Sequence, residues 1–407
     1  MGRRMAASSL LGAHGDLFGY EMTNSAVALA QTAGSVSKAL AMIPRLGFQQ
    51  LQAVTSIFMS PRYSMLSIQS DLAGWVLDQE TVELQRVASQ LGLDVRMNWG
   101  ISPYAAQCCH YAWQGVLLKP RHFKTRNRVS IDFFHGLPGT TEAFTEMHHG
   151  LRRHHEAISR VRVSHSKMER IVLESGIHPD KVRRIPIGVN LAYFEFQAAA
   201  SRLEARRRLN LPQSAVILGS FQKDGVGWGE GREPKDIKGP DVFLKAISLL
   251  KLKVPELYVL LSGPARGFVK AGLERIGVPY THLYLKNYGD IGQLYQALDL
   301  YLIASREEGG PKAVLEAMAS GVPLVTTKVG QAMDLVRHGE NAWVVDVEDA
   351  DGLAHWAEYV LSRQQSKTIS EALKSGRKTA EANSYESQIP LWRSYMQGFV
   401  EGGVRPR

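Results

Sequence analysis

Residues 304–330 read ASREEGGPKAVLEAMASGVPLVTTKVG, and the apolar run LYLIAS (300–305) leads into them. An apolar run, a glycine pair, a helix-forming stretch from Lys312 to Ser320, a further glycine and the run GVPLVTT (321–327) follow one another closely. That order reads strand, turn, helix, strand, which is the unit of a parallel sheet with helices on its faces. The turn Gly309-Gly310-Pro311 leaves backbone N–H groups unpaired at a helix N-terminus, where an anion binds. Glycine also lets a ligand approach the backbone closely. Glu308 and Glu316 have seven residues between them. They put a carboxylate at each end of the turn and helix, able to accept from sugar or ribose hydroxyls. The stretch predicts a site for a sugar joined to a diphosphate.

The same alternation runs through most of the chain. SMLSIQ (64–69), LDVRM (93–97), GVLL (115–118), VSIDFF (129–134) and ISRVRVS (158–164) read as strands. Helices are expected over 75–91, from near Thr140 with Thr140 or Thr141 as N-cap, and over 166–175. Gly92 and Gly176 are natural stops for the first and last of these. A second series begins at AVILGSF (215–221). It continues through a helix from Asp241 to Leu252, LYVLLSG (257–263), a helix over 267–276, HLYLKNY (282–288) and a helix from Ile291 to Ala297. Two doubly wound α/β units are predicted. Residues 1–60 form an alanine-rich leader broken by Pro44 and Gly47, expected to pack on the body or lie on a membrane surface.

At 407 residues the chain is long enough for two domains. Hydrophobic residues at 44% and charged residues at 21% fit an ordinary globular protein. The two cysteines, Cys108 and Cys109, are neighbours, and adjacent cysteines rarely form a structural disulfide. No apolar run is long enough for a spanning helix, and the short apolar patch near Met1 does not read as a secretory signal. The net charge of +9 gathers at Lys119–Arg128, Arg152-Arg153, Lys167, Arg170 and Lys181–Arg184. Such a balance attracts polyanions or an anionic membrane. No nucleic-acid-binding motif accompanies it, so no nucleic-acid partner is expected. The histidines at 148, 149, 154 and 155 lack a metal-binding spacing and read as an exposed helix face; no metal site is expected.

EGGPKAVLE followed by AMASGVPLV resembles the E-x7-E signature of retaining glycosyltransferase family 4, and VSHSKMERIVLESGIHPDKVRRIPIGVN resembles that family's join between its two halves. The resemblance is good over 160–345, weaker over 63–160 and absent before that. It implies a GT-B fold, two Rossmann-like domains facing a cleft: an acceptor-side domain over 61–190 and a nucleotide-sugar-binding domain over 191–375. A helical segment over 376–407 would cross back to the first. It implies a metal-independent, hexosyltransferase-type enzyme without cofactor. Such an enzyme moves a sugar from a nucleotide-sugar to a glycan or lipid-linked acceptor, in polysaccharide or lipopolysaccharide biosynthesis at the cytoplasmic membrane face. The acceptor side would then meet an anionic membrane peripherally.

The resemblance also distributes roles. Glu308 would hold the transferred sugar and Glu316 the ribose, with the turn residues Gly309, Gly310, Pro311 and Lys312 around sugar and phosphates. The family grips its diphosphate with an Arg/Lys pair. Here Lys238-Gly239 matches the second half, but Ser220 stands where arginine is expected, and Lys223 is the nearest cation. His135 is the candidate for a histidine at the mouth of the cleft that touches the sugar. Gly74 is what remains of a glycine-rich first turn, and Arg266 is placed to reach the base or a phosphate. The residues DGVGWGEGREPKDI (224–237) are an insertion, expected to be a mobile loop over the donor. Two other classes stay open: a sugar-nucleotide-binding protein without turnover, and a phosphorylase-like enzyme acting on a sugar phosphate.

Overall fold

The structure, a computed structural model, describes residues 63–70, 76–98, 101 and 106–401. The leader over 1–60 and Gly74 lie outside these. The first sheet holds β1 (Met65–Gln69), β2 (Asp94–Met97), β3 (Cys108–Tyr111), β4 (Arg128–Asp132), β5 (Ile158–Val163) and β6 (Val182–Arg184) in the order β2-β1-β3-β4-β5-β6. The second holds β7 (Val216–Phe221), β8 (Leu257–Ser262), β9 (Tyr280–Leu283), β10 (Leu300–Ile303), β11 (Leu324–Thr327) and β12 (Trp343–Val345) in the order β12-β11-β10-β7-β8-β9. All the pairings are parallel. The second order is that of dinucleotide-binding sheets. Its strand direction of winding reverses between β7 and β10, and ligands bind at the carboxyl ends beside such a reversal.

Burial explains the strands. β10 and β11 are covered on both faces, as parallel strands under two helical layers must be. Leu218, Leu302 and Val325 face one layer with Phe243 and Ile247. Ile217, Tyr301 and Leu324 face the other with Leu315 and Met318. The last described helix, Ile389–Met396, does not stay with the second sheet. Trp392, Tyr395, Met396 and Phe399 complete the core around Leu66, Ile68 and Leu84 of the first unit.

Three sequence expectations are corrected. GVLL (115–118) is not a strand but part of a 3-10 helix over Gln114–Leu118. Its apolar residues face inward on successive turns, and Gly150 of the neighbouring helix packs 2.8 Å from the Leu117 carbonyl at its Cβ position. The strand in that region is β3, whose CCHY sequence carries a buried histidine and no alternation. A helix over Ala199–Arg208 went unread because its polar, arginine-rich sequence shows little amphipathic pattern. Among the clustered histidines only His149 and His155 are exposed. His148 is buried against the Gly136 carbonyl at 2.7 Å, and His154 stacks on Phe123 with centroids 4.3 Å apart.

Candidate active site

The site lies where β7 and β10 end. Beyond β10 the chain turns through Ser305 and Glu308 before the helix Lys312–Ser320 begins. Pro311 precedes that helix in extended conformation, and Gly321 ends it with a φ of 66°. Beyond β7 the chain makes the 224–237 excursion and returns through a 3-10 turn, Asp236–Lys238. Ile237 O accepts from Arg306 N at 2.9 Å and Glu307 N at 3.0 Å, so the two loops are joined backbone to backbone. Gly239 follows with a φ of 57°, and a Cβ there would lie 2.0 Å from Ala304 O. Gly239→Ala should therefore destabilise the fold by more than about 1 kcal/mol and pull Lys238 out of register. A lower melting temperature together with reduced turnover is the expected outcome; unchanged values for both would refute it.

These loops bring two of the predicted residues into contact. Lys238 Nζ donates to Glu308 Oε1 at 2.6 Å, and Ser305 Oγ donates to the same oxygen at 2.9 Å. Lys235, which the sequence reading did not single out, stands beside them. Burial, helped by the positive charges of Lys238 and Lys223, lowers its amine to about 8. Among the described residues no carboxylate lies within ion-pair distance of it. Lys238 thus holds Glu308, the Lys235 amine feels Lys238, Lys223 and Glu308, and this excess of positive charge favours an incoming anion. The sequence signal was present in REPKDIKG: two lysines three apart, immediately before the glycine turn.

His135 faces this cluster from the other unit. Gln114 Nε2 donates to its carbonyl at 2.5 Å, Gln114 Oε1 accepts from Phe134 N at 3.1 Å, and Phe144 meets its ring edge-on at 5.5 Å. Burial and the nearby Lys238 amine push its pKa down to about 4, so the imidazole is neutral. Its Nδ1 is buried and has no hydrogen-bond partner among the described residues.

The two units touch at the signature turn itself. Gly136 N and Leu137 N donate to Glu307 Oε1 at 2.6 and 3.2 Å. Ser164 Oγ donates to Gly309 O at 2.6 Å, and a Cβ on Gly309 would sit 2.6 Å from that of Phe134. Gly310 borders Ile187 and Gln331. Gln331 is fully buried and tethers the join between the units, accepting from Ile187 N at 2.9 Å.

Glu316 lies midway along the helix, 4% exposed. The hydroxyls of Tyr288 and Tyr295 donate to its two oxygens. Burial raises its pKa above the usual carboxylate value, and the tyrosine bonds work against that rise. Neither tyrosine was anticipated, since a lone tyrosine after a strand carries no motif.

Two expected residues do other work. Arg266 is 1% exposed and pairs with Asp224 at 2.9 Å. It also donates to Ser220 O at 2.6 Å, Ser262 O at 2.7 Å and Ser220 Oγ at 3.0 Å. Its guanidinium is held inside the domain and does not point to a base or phosphate. The Lys312 side chain also turns inward, to Tyr385 OH at 2.8 Å and Glu80 Oε2 at 3.5 Å. The 224–237 insertion is not a loose loop but a hairpin-like excursion whose ends meet, with Lys235 N donating to Asp224 O at 2.8 Å. Lys223 lies in front of it, its amine 4.4 Å from the Trp228 ring centroid. Among the described residues no group of three or more His, Cys, Asp or Glu side chains is arranged to hold a metal ion.

Residues 231–379 match the family described as Glycosyl transferases group 1. A D-inositol 3-phosphate glycosyltransferase of Salinispora arenicola is 32% identical over 204 residues, 46% of this chain and 42% of that protein. The lipopolysaccharide core biosynthesis mannosyltransferase LpsB of Rhizobium meliloti is 29% identical over 163 residues, 38% of this chain and 44% of that protein. The chain thus spans less than half the length of the curated relatives it matches. Among solved structures, Anabaena Alr3699/HepE in complex with UDP and glucose superposes with a TM-score of 0.65 at 16% identity, covering 82% of this chain and all of that one. Sucrose-phosphate synthase from Thermosynechococcus elongatus gives 0.64 at 17%, covering 83% of this chain and 99% of that one. The fold is GT-B.

Proposed function

We propose that this protein is a retaining glycosyltransferase of family 4 that moves a sugar from a nucleotide-sugar donor to a glycan or lipid-linked acceptor. The observation that carries the reading is the pairing of Lys238 with Glu308, with the Lys235 amine near them, at the reversal point of the second sheet and opposite a neutral histidine. The donor's diphosphate takes up the amines of Lys238 and Lys235 and the N–H groups at the helix N-terminus. As the sugar leaves, charge grows on the outer phosphate, and fixed cations aimed there lower the barrier. Freed from Lys238, Glu308 accepts from hydroxyls of the sugar. Glu316 takes the ribose, which exchanges for a tyrosine hydroxyl. His135, being neutral, offers a hydrogen bond at Nδ1 to the sugar without repelling a developing positive charge. The leaving diphosphate deprotonates the acceptor on the same face, so transfer needs neither an enzymic nucleophile nor a metal. The UDP and glucose in the Anabaena structure's name make UDP-sugars the first donors to try.

The test is a thermal-shift screen of UDP-, GDP- and ADP-sugars at pH 7 and pH 9, with and without a chelator, followed by assay of nucleotide release. One nucleotide class should stabilise the protein, by roughly 2.7 kcal/mol at a hundred times its dissociation constant. Lys235 titrates near 8 in the free protein and binds an anion only when protonated, so affinity should fall as the pH passes upward through that value. The chelator should change nothing. Binding without nucleotide release would leave a non-catalytic sugar-nucleotide-binding protein, and no binding at all would end the proposal.

We also propose that the acceptor-side unit meets an anionic membrane surface. Lys119, Arg121, Lys124 and Arg126 on one segment, and Arg152 and Arg153 at the end of the helix packed beside it, are exposed. Each basic side chain near such a surface contributes about 1 kcal/mol, screened beyond about 8 Å at physiological salt. No helix among the described residues is long and apolar enough to cross a membrane. Co-sedimentation with anionic vesicles should be strong at low salt and lost at high salt. Equal binding to neutral vesicles would contradict an electrostatic contact.

A further inference from the structure

We propose that Glu307 is a positioning residue for transfer: its carboxylate reaches across to the first unit, fixes the loop that carries His135 and so sets the imidazole against the sugar held by Glu308. The inference rests on the glycosyltransferase reading above.

The backbone of the His135 loop shows where its support comes from. Gln114 Oε1, in the same unit, accepts from Phe134 N at 3.1 Å and His135 N at 3.4 Å, and Gln114 Nε2 donates to His135 O at 2.5 Å. His148, also in that unit, donates to Gly136 O at 2.7 Å. Gly136 has a φ of 102°, and a Cβ there would lie 2.6 Å from the Phe144 ring, so the chain turns in a way that suits glycine alone. The two N–H groups at and after this turn find no carbonyl among the described residues. Both donate to Glu307 Oε1 of the other unit, Gly136 N at 2.6 Å and Leu137 N at 3.2 Å. Bonds to an ionised acceptor are about twice as strong as neutral ones.

Glu307 holds two further parts of the site. Its own N–H donates to Ile237 O at 3.0 Å, and Ile237 directly precedes Lys238. Its next neighbour is Glu308, which accepts from the Lys238 amine at 2.6 Å. One residue is thus tied by its backbone to the loop of the phosphate lysine, by its side chain to the loop of the histidine, and by a peptide bond to the sugar carboxylate. The histidine takes its place by reference to the donor turn as well as to its own sheet. A displacement of about 1 Å in such a group costs on the order of 10²-fold in rate. A second carboxylate crosses between the units without touching this loop. Asp334 accepts from Ser166 N at 2.8 Å, Ser166 Oγ at 2.5 Å and Arg184 Nη1 at 3.2 Å. Those partners lie at the end of β6 and the start of the helix Ser166–Glu174, so Asp334 provides a control for a contact that only holds the units together.

The experiment uses the full chain as wild type, Glu307→Ala, Glu307→Gln, Asp334→Ala, His135→Ala and the double variant Glu307→Ala with His135→Ala. Imidazole NMR of histidine-labelled protein reads position, the His135 signals being those lost in His135→Ala. Nucleotide release from UDP-glucose, GDP-mannose or ADP-glucose, whichever the wild type consumes fastest, reads turnover. Glu307→Ala should move the His135 signals and lower kcat by about 10–10²-fold, with the donor KM unchanged within about threefold. Glu307→Gln, whose amide oxygen can still accept, should recover kcat to within about fivefold of wild type. Asp334→Ala should leave the His135 signals in place. With His135 already replaced, Glu307→Ala should cost less than about threefold more, because the group it positions is gone. Should Glu307→Ala fail to fold, Glu307→Asp, one methylene shorter, takes its place in every arm. Unmoved His135 signals, wild-type kcat in Glu307→Ala, or losses that multiply in the double variant each overturn the proposal. Equal effects in Asp334→Ala overturn it in favour of a general contact between the units. A wild type that releases nucleotide from none of the three donors defeats the functional reading itself, and the role in transfer with it.

Discussion

Lys238→Ala is expected to lower kcat/KM for nucleotide release from the donor by about 10²–10³. The amine lies 2.6 Å from Glu308 in the free protein, and the proposal moves it to the phosphate as the glycosidic bond breaks. Its contribution is then largest in the transition state, so kcat should fall with kcat/KM rather than KM rising alone. Removing it also leaves Glu308 with Ser305 as its remaining partner, which raises the local negative charge facing the diphosphate. Lys223→Ala should lose less, because that amine is engaged with Trp228 and stands further out. Steady-state kinetics on both variants decides the matter. Wild-type kcat/KM in Lys238→Ala would place the phosphate clamp elsewhere. A larger loss in Lys223→Ala would mean that the front of the insertion, not its return, carries the clamp.

Arg162→Ala should have the largest effect on stability, roughly 3–5 kcal/mol. Its guanidinium is fully buried and joins Glu80 at 2.8 Å and Asp132 at 3.3 Å. It also donates to Ile185 O and Pro186 O, each at 3.0 Å. Alanine would strand two buried carboxylates without their shared cation and leave a cavity between Phe134 and Trp392, which flank the guanidinium. Urea unfolding followed by far-UV circular dichroism should show the midpoint of the first transition moving sharply down. An unchanged midpoint would show that water or a rearranged Lys312 compensates. Lys312 is the neighbour able to try, since it already shares Glu80.

The parts of this molecule that were legible in sequence are those where local pattern and tertiary role agree. The helix Lys312–Ser320 was read to its ends because a proline marks its start and a glycine its end. Lys238 and Glu308 were each singled out by a resemblance, and their contact was not foreseen; it follows from the backbone bonds to Ile237 O that join the two loops. What was illegible depended on neighbours distant in the chain. Arg266 looked like a ligand residue on a glycine-rich turn, yet its partner is Asp224, 42 residues away at the base of the insertion. His148 looked exposed because nothing local says that Gly136 closes over it. β3 was missed because a short central strand covered on both faces carries no alternation. The tyrosines that hold Glu316 lie 28 and 21 residues before it, and only the fold brings them to that carboxylate.

The return of the chain to its first unit sets an order of assembly. Cys108 Sγ and Arg128 both bond to Phe399 O, each at 3.0 Å, and the first of these contacts spans 291 residues. At roughly 5–20 residues per second, synthesis of that interval takes on the order of 15 seconds to a minute. Throughout it Leu66, Ile68 and Leu84 lack the Trp392 and Tyr395 that will cover them. The second unit, whose strands and helices are nearly contiguous, can bury its own interior first. The half of the molecule made earliest on the ribosome is thus the half completed last, and during that wait its uncovered apolar face is open to chaperones or to a neighbouring nascent chain.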